Sequence, residues 1–111
     1  DSSSKTSKHY SGTNPAYLHH KAAALIRNKG FRHLLIDLPS VDREEDGGKL
    51  LAHHAFWNHP GKTRKDCTIS ELIYVPDAVK DGFYFLNLIP ALFENDAAPV
   101  RAVVYKVKVL R

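Results

Sequence analysis

Two short stretches put metal-competent side chains where apolar ones are expected. In LLAHHAFW, residues 50 to 57, His53 and His54 interrupt a hydrophobic run; in ISELIYVP, residues 69 to 76, Glu71 stands among aliphatics. On a helix, His53 shares a face with Leu50 and Trp57 through i, i+3 and i, i+4 spacing, so its imidazole points to the packed side. His54 turns about 100° away, toward solvent or the helix edge. A carboxylate inside an apolar strand must be ion-paired, hydrogen-bonded or bound to a cation, because an ionised group is costly to bury. Two chemistries stay open. His53 is a core histidine tied to a carbonyl or a neighbouring side chain, and Glu71 pairs with one of the sixteen Lys and Arg residues. Alternatively, the two supply one nitrogen and one oxygen ligand suited to Zn²⁺ or Mn²⁺.

The elements that must position these side chains can be read from the punctuation. DSSSKTSKHYSGT, residues 1 to 13, is polar and Ser-rich and reads as a flexible arm or linker. Asn14 followed by Pro15 has the form of a helix start, Leu18, Ala22, Leu25 and Ile26 follow at helical spacing, and Gly30 suits a left-handed C-cap; a helix is expected over about 15 to 29. HLLIDL, 33 to 38, fits a short strand buried on both faces. The loop PSVDREEDGG leads into a second helix over about 49 to 59, ended by Pro60-Gly61. Residues 69 to 75, 82 to 89 and 99 to 110 carry the β-branched and aromatic enrichment of strands, and the three are expected in one mixed sheet. The last of them, VRAVVYKVKVL, alternates as an edge or half-exposed strand would. Helix leading into strand points to an α/β fold.

Composition narrows the class. At 111 residues the chain is about one domain with one core, and 43% hydrophobic with 25% charged residues excludes a disordered or fibrous chain. No apolar run reaches the roughly 18 to 20 residues that span a bilayer, so no membrane partner is expected. Cys67 is the single cysteine, which rules out an intramolecular disulfide and suits a reduced, cytoplasmic setting. The net charge of +4 invites nucleic acid, but the basic residues form only short clusters, Lys62 to Lys65 and Lys106 to Arg111, and acidic residues are interleaved elsewhere. No nucleic-acid-binding signature accompanies them, so no such partner is expected.

The succession HLLIDLPSVDRE, AHHAFW, then ISELIYVPDAVKDGFYFLNLIPALFENDAAPVRAVVY resembles the C-terminal half of the cyclase family of metal-dependent hydrolases, which includes the bacterial kynurenine formamidases. The resemblance runs over roughly residues 15 to 106. It implies a swivelling β/β/α fold, here an incomplete C-terminal portion over 14 to 111, and assembly into a homo-oligomer. It also implies hydrolysis of a small-molecule amide or ester with one or two divalent cations, Zn or Mn. Residue by residue, it makes His53 and Glu71 metal ligands. His54 falls where the family often has Lys and is not assigned to the metal; with His53 it is a candidate for proton transfer. Ser40 and Asp42 match an S-x-D loop beside the pocket, where they orient neighbours; without that role they form an ordinary Ser or Asx turn. Trp57 and Tyr84 line an aromatic-substrate pocket or belong to the core.

Two departures qualify the resemblance. The stretch NHPGKTRKDC lengthens the interval between His53 and Glu71, at little cost for an exposed loop. The family's H-x-G-T-H-x-D-x-P-x-H segment, which supplies most of the ligands, occurs nowhere in the 111 residues. A catalytic zinc needs about three protein ligands, and this chain offers two. The parent protein is therefore expected to be an amidohydrolase of arylformamidase type, and this chain alone inactive with an incomplete metal site. The competing class is a non-catalytic α/β interaction module.

Overall fold

The computed structural model describes residues 2 to 108. Two helices and four strands follow in the order α1 (His20–Asn28), β1 (His33–Leu35), α2 (Leu51–Trp57), β2 (Thr68–Ser70), β3 (Tyr84–Pro90) and β4 (Val100–Lys106). Among the described residues no helix is long and apolar enough to cross a membrane.

The first helix ends as its glycine predicts. Gly30 takes φ +86°, its N–H bonds Arg27 O at 2.9 Å, and Phe31 N–H reaches Ile26 O at 3.4 Å, the paired bonds of a Schellman cap. Its start lies five residues beyond the expected Pro15. Asn14 adopts a left-handed φ of +47° with its N–H on Glu44, and Leu18 N–H bonds Val41 O at 2.9 Å. These distant acceptors hold 14 to 18 out of the helix, and His19 caps it instead, Nδ1 accepting from Lys21 N–H. The polar lead, read as an arm, carries a 3-10 turn over Ser2–Ser7. Lys5 pairs with Asp37, and Glu44 also accepts from Gly12 N–H at 2.6 Å.

Strand pairing corrects the expectation of one mixed sheet. β1 and β2 run parallel with Leu34 opposite Ile69, while β3 and β4 form a separate antiparallel pair with Asn87 opposite Val103. The chain accordingly divides into two compact units, Asp1–Asp77 and Ala78–Arg111. β1 is also shorter and less buried than HLLIDL suggests: Leu34 and Ile36 pack on the core, but Leu35 on the opposite face is only half-buried. β2 stops at Ser70 because Leu72 turns to φ +53°; Glu71 thus lies one residue past the strand, not within it. The expected last strand ended at 110, of which 109 and 110 lie outside the described residues.

The core sits in the first unit. Ala23 of α1, Val41 of the loop after β1, Ala52 and Phe56 of α2 and Cys67 before β2 are buried, with Leu18, Ile26, Leu34, Trp57 and Ile69 packed around them. In the second unit both faces of the hairpin carry exposed apolar side chains, Phe85 and Tyr105 among them.

The helix α2 is seven residues long and opens on Leu50 in a left-handed conformation with no side chain of its own to cap it. Asp42, ten residues upstream, takes that part: its carboxylate accepts from the N–H groups of Ala52 at 2.6 Å and His53 at 3.1 Å. At the other end, Arg27 donates to Ala55 O at 2.9 Å and Arg64 to Phe56 O at 3.0 Å, while Arg64 N–H takes Trp57 O. Asn58 and His59 N–H groups share His54 O. All four terminal carbonyls are thereby satisfied. The charges also have the sense the helix dipole favours, carboxylate at the N-terminus and guanidinium groups at the C-terminus.

Candidate metal centre

β1, α2 and β2 make one β–α–β unit, and the candidate residues collect beyond the carboxyl ends of its two parallel strands. Open parallel sheets generally place ligands there. Ser40 and Asp42 come from the loop after β1, His53 from the first turn of α2, and Glu71 from the first residue after β2. The turn at Leu72 aims the Glu71 side chain back toward this end, where Val41 N–H donates to its Oε1 at 2.7 Å.

His53 is the hub. Its Nδ1 lies 2.6 Å from Asp42 Oδ2, and its Nε2 lies 3.5 Å from Glu71 Oε1. The three side chains are 17%, 7% and 28% exposed for His53, Asp42 and Glu71, so the constellation is shielded but reachable from the Glu71 side. Trp57, one turn along α2, sets its ring 5.3 Å from the imidazole and donates its indole N–H to Cys67 O at 2.9 Å. It packs against the site residue. Ser40 Oγ accepts from Asp42 N–H at 3.1 Å, the local turn that holds the carboxylate in place.

His54 faces elsewhere. Its ring lies tilted against that of His59, centroids 4.8 Å apart, on a different side of α2 from the Asp42–His53–Glu71 line. Tyr84 belongs to the second unit and donates its hydroxyl to Lys80 O. A cleft of about 110 Å³ lined by Tyr10, Pro39, Ser40, Asp42 and Glu44 adjoins the same loop. Its volume is below the roughly 300 Å³ at which small-molecule sites begin.

Burial acts to raise the Asp42 carboxyl, but the hydrogen bonds from Ala52 N–H, the His53 ring and His53 N–H, with the charge of His53, outweigh it and hold the group below the usual carboxylate value. A carboxyl depressed in the fold stabilises above its unfolded value, near 3.9, and that contribution is lost as pH falls through the folded value. Urea unfolding at several pH values should therefore show wild type losing its advantage over Asp42→Asn between about pH 5 and pH 2. A gap that stays constant across that window would show that Asp42 is not held by these bonds.

Asp42 is expected to orient neighbours beside the pocket; that it also caps α2 is the feature residue patterns left unseen. The available signal was indirect: no Ser, Asp or Asn stands at the N-cap of the helix that opens at Leu51, so its amides needed an acceptor from elsewhere.

The donor set suits a divalent cation. With bonds of about 2.0 to 2.2 Å, an imidazole nitrogen and a carboxylate oxygen on one tetrahedral ion stand about 3.3 to 3.6 Å apart, and the measured separation is 3.5 Å. Among the described residues no group of three or more His, Cys, Asp or Glu side chains is placed to hold a metal.

No family profile matches the chain, and no solved structure matches it. Curated relatives do. The chain is 36% identical over 89 residues to the kynurenine formamidase of Bacillus cereus strain ATCC 10987, a match covering 79% of this chain and 39% of that protein. It is 37% identical over 83 residues to the kynurenine formamidase of Bacillus mycoides, covering 74% of this chain and 36% of the relative. The Bacillus anthracis kynurenine formamidase matches at 36% over 83 residues. The chain therefore spans well under half the length of the curated relatives it matches. Over the part that it covers, the chain is similar to proteins named kynurenine formamidase, a partial match.

Proposed function

We propose that this chain carries one portion of a metal-dependent hydrolase of amide or ester bonds, of the kynurenine formamidase kind, and that His53 and Glu71 are its contribution to a Zn²⁺ or Mn²⁺ centre. The observation that carries the reading is the 3.5 Å approach of His53 Nε2 to Glu71 Oε1 at the carboxyl ends of two parallel strands. The partial likeness to named kynurenine formamidases supports it. The remaining ligands would come from residues outside these 111, in the family's N-terminal motif, so the parent protein is the enzyme and this chain alone is inactive. When bound, the cation supplies Lewis acidity, lowering the pKa of water and polarising a substrate carbonyl.

The chain's own side chains have distinct parts in this reading. Glu71 offers an anionic oxygen held in place by Val41 N–H, and His53 a nitrogen held in place by Asp42. Ser40 steadies Asp42, and Trp57 supplies an aromatic wall beside the imidazole. His53 or His54 moves a proton to or from the substrate. Of the two, His53 stands at the site, whereas the His54 ring lies beside His59 on another side of α2. The substrate is a small amide or ester, an aryl formamide in the first instance.

The experiment is metal removal from the parent protein. Dialysis against a chelator should abolish formamide hydrolysis, and Zn²⁺ or Mn²⁺ should restore it. Undiminished hydrolysis by protein shown to be metal-free would overturn the metal reading, and no hydrolysis under any metal would favour a non-catalytic interaction module. A homo-oligomer belongs to the same proposal, supported by the exposed apolar side chains on both faces of the β3–β4 hairpin. Sedimentation of this chain at about 0.1 mM should show association; a single monomeric species would count against it.

A further inference from the structure

Two consecutive residues of the loop after β1 hold both members of the His53–Glu71 pair. Val41 N–H donates to Glu71 Oε1 at 2.7 Å, and the Asp42 carboxylate lies 2.6 Å from His53 Nδ1. We propose that Asp42 is a positioning residue that keeps the proton of the neutral His53 ring on Nδ1 and so directs the Nε2 lone pair at Glu71. The purpose of this arrangement rests on the reading of His53 and Glu71 as metal ligands; the tautomer itself is a property of the metal-free chain.

The chemistry follows from what each atom can donate. An ionised carboxylate has no proton to give and only accepts. Asp42, 7% exposed, takes Ala52 N–H on Oδ1 and, on Oδ2, both the backbone N–H and the ring of His53. The ring nitrogen facing it must therefore be the donor. A neutral imidazole carries one N–H, so Nε2 is left as an acceptor. One oxygen ties both the amide and the ring of His53, which restrains the side chain at its two ends, and the Trp57 ring 5.3 Å away limits rotation further.

On the far side, Nε2 and Glu71 Oε1 stand 3.5 Å apart, beyond the usual 2.7 to 3.2 Å of an N–H···O bond. Glu71 is held there by Val41 N–H and not by His53. Two acceptors thus face each other across a space of cation size, each held from behind by the same loop. A role for Asp42 as helix cap alone would need the Ala52 and His53 amides but not the ring. Histidines that bind metals through one nitrogen commonly give the other N–H to a carboxylate in this way.

The test is long-range ¹H–¹⁵N correlation spectroscopy of the ¹⁵N-labelled, metal-free chain, at a pH where the His53 ring shifts no longer change. The expected result is a pyrrole-type shift at Nδ1 and a pyridine-type shift at Nε2. In Asp42→Asn, which keeps an oxygen for the helix amides, and in Asp42→Ala, that preference should be lost and Nε2–H should become the major form. An Nε2–H tautomer in the wild-type chain would overturn the proposal without any variant having to fold. So would variants that retain folded circular dichroism and the wild-type tautomer. The two readings fail separately: hydrolysis that survives chelation sinks the metal assignment with the Nδ1–H tautomer intact, whereas an Nε2–H tautomer beside metal-dependent hydrolysis sinks only the role of Asp42.

Discussion

His53→Ala and Glu71→Gln, made in the complete parent protein, should each lose bound metal and nearly all hydrolysis while the fold survives. Altering a residue that only supports a ligand costs about 10- to 100-fold in metal affinity or activity, so removing a ligand itself should cost more than about 100-fold. Stability should change far less. Glu71→Gln keeps an amide oxygen where Val41 N–H donates, and His53→Ala leaves Asp42 its two backbone donors, a loss of about 1 kcal/mol. His59→Ala is the control, since that exposed ring lies beside His54 and Thr63, outside the Asp42–His53–Glu71 cluster. It should stay within about 0.5 kcal/mol and near wild-type turnover. Metal content by mass spectrometry with parallel turnover decides the matter: both site variants retaining metal and rate would make the pair a structural hydrogen-bonding cluster.

Phe56→Ala should be the most damaging change to the fold. The ring is fully buried at the meeting of α1, α2 and the strand pair, and the Arg64 guanidinium lies over it at 5.0 Å. Deleting a buried Phe costs about 3 to 5 kcal/mol in transfer and cavity terms. A small domain has only about 5 to 15 kcal/mol in total, so the variant should sit near its unfolding midpoint. Urea unfolding followed by Trp57, the single tryptophan and a neighbour on the same helix, would report it. A loss under about 1 kcal/mol would show that the core does not depend on this ring.

What was legible in the sequence divides by the range of the interaction that decides it. Gly30 ended α1 where expected because a left-handed cap is a local preference of one residue type. The cores of α2, β3 and β4 fell inside their expected ranges because composition and period are local too. Asn14-Pro15 misled because its local signal was outweighed by bonds to Glu44 and Val41, about 30 and 23 positions away in the chain respectively. Strand partners were likewise unreadable: the runs carry β propensity, but nothing in them says that 33 to 35 pairs with 68 to 70 and 84 to 90 with 100 to 106. The nearness of His53 and Glu71 was suggested by family resemblance and not by spacing. Resemblance put Asp42 beside the pocket as an orienting residue, but its partners were unreadable because its three bonds cross ten or eleven positions.

The borrowed caps of α2 bear on how the site behaves in time. A seven-residue helix does not persist alone in water, and this one draws its end groups from Asp42, Arg27 and Arg64, on three different segments. It cannot fray at either end without breaking bonds that also hold the loop after β1 and the end of α1. Its amide protons should therefore exchange with solvent only when the whole first unit opens, and not through local fluctuation. His53 then has no partly formed state: the histidine is aimed when the unit is folded and released when it is not.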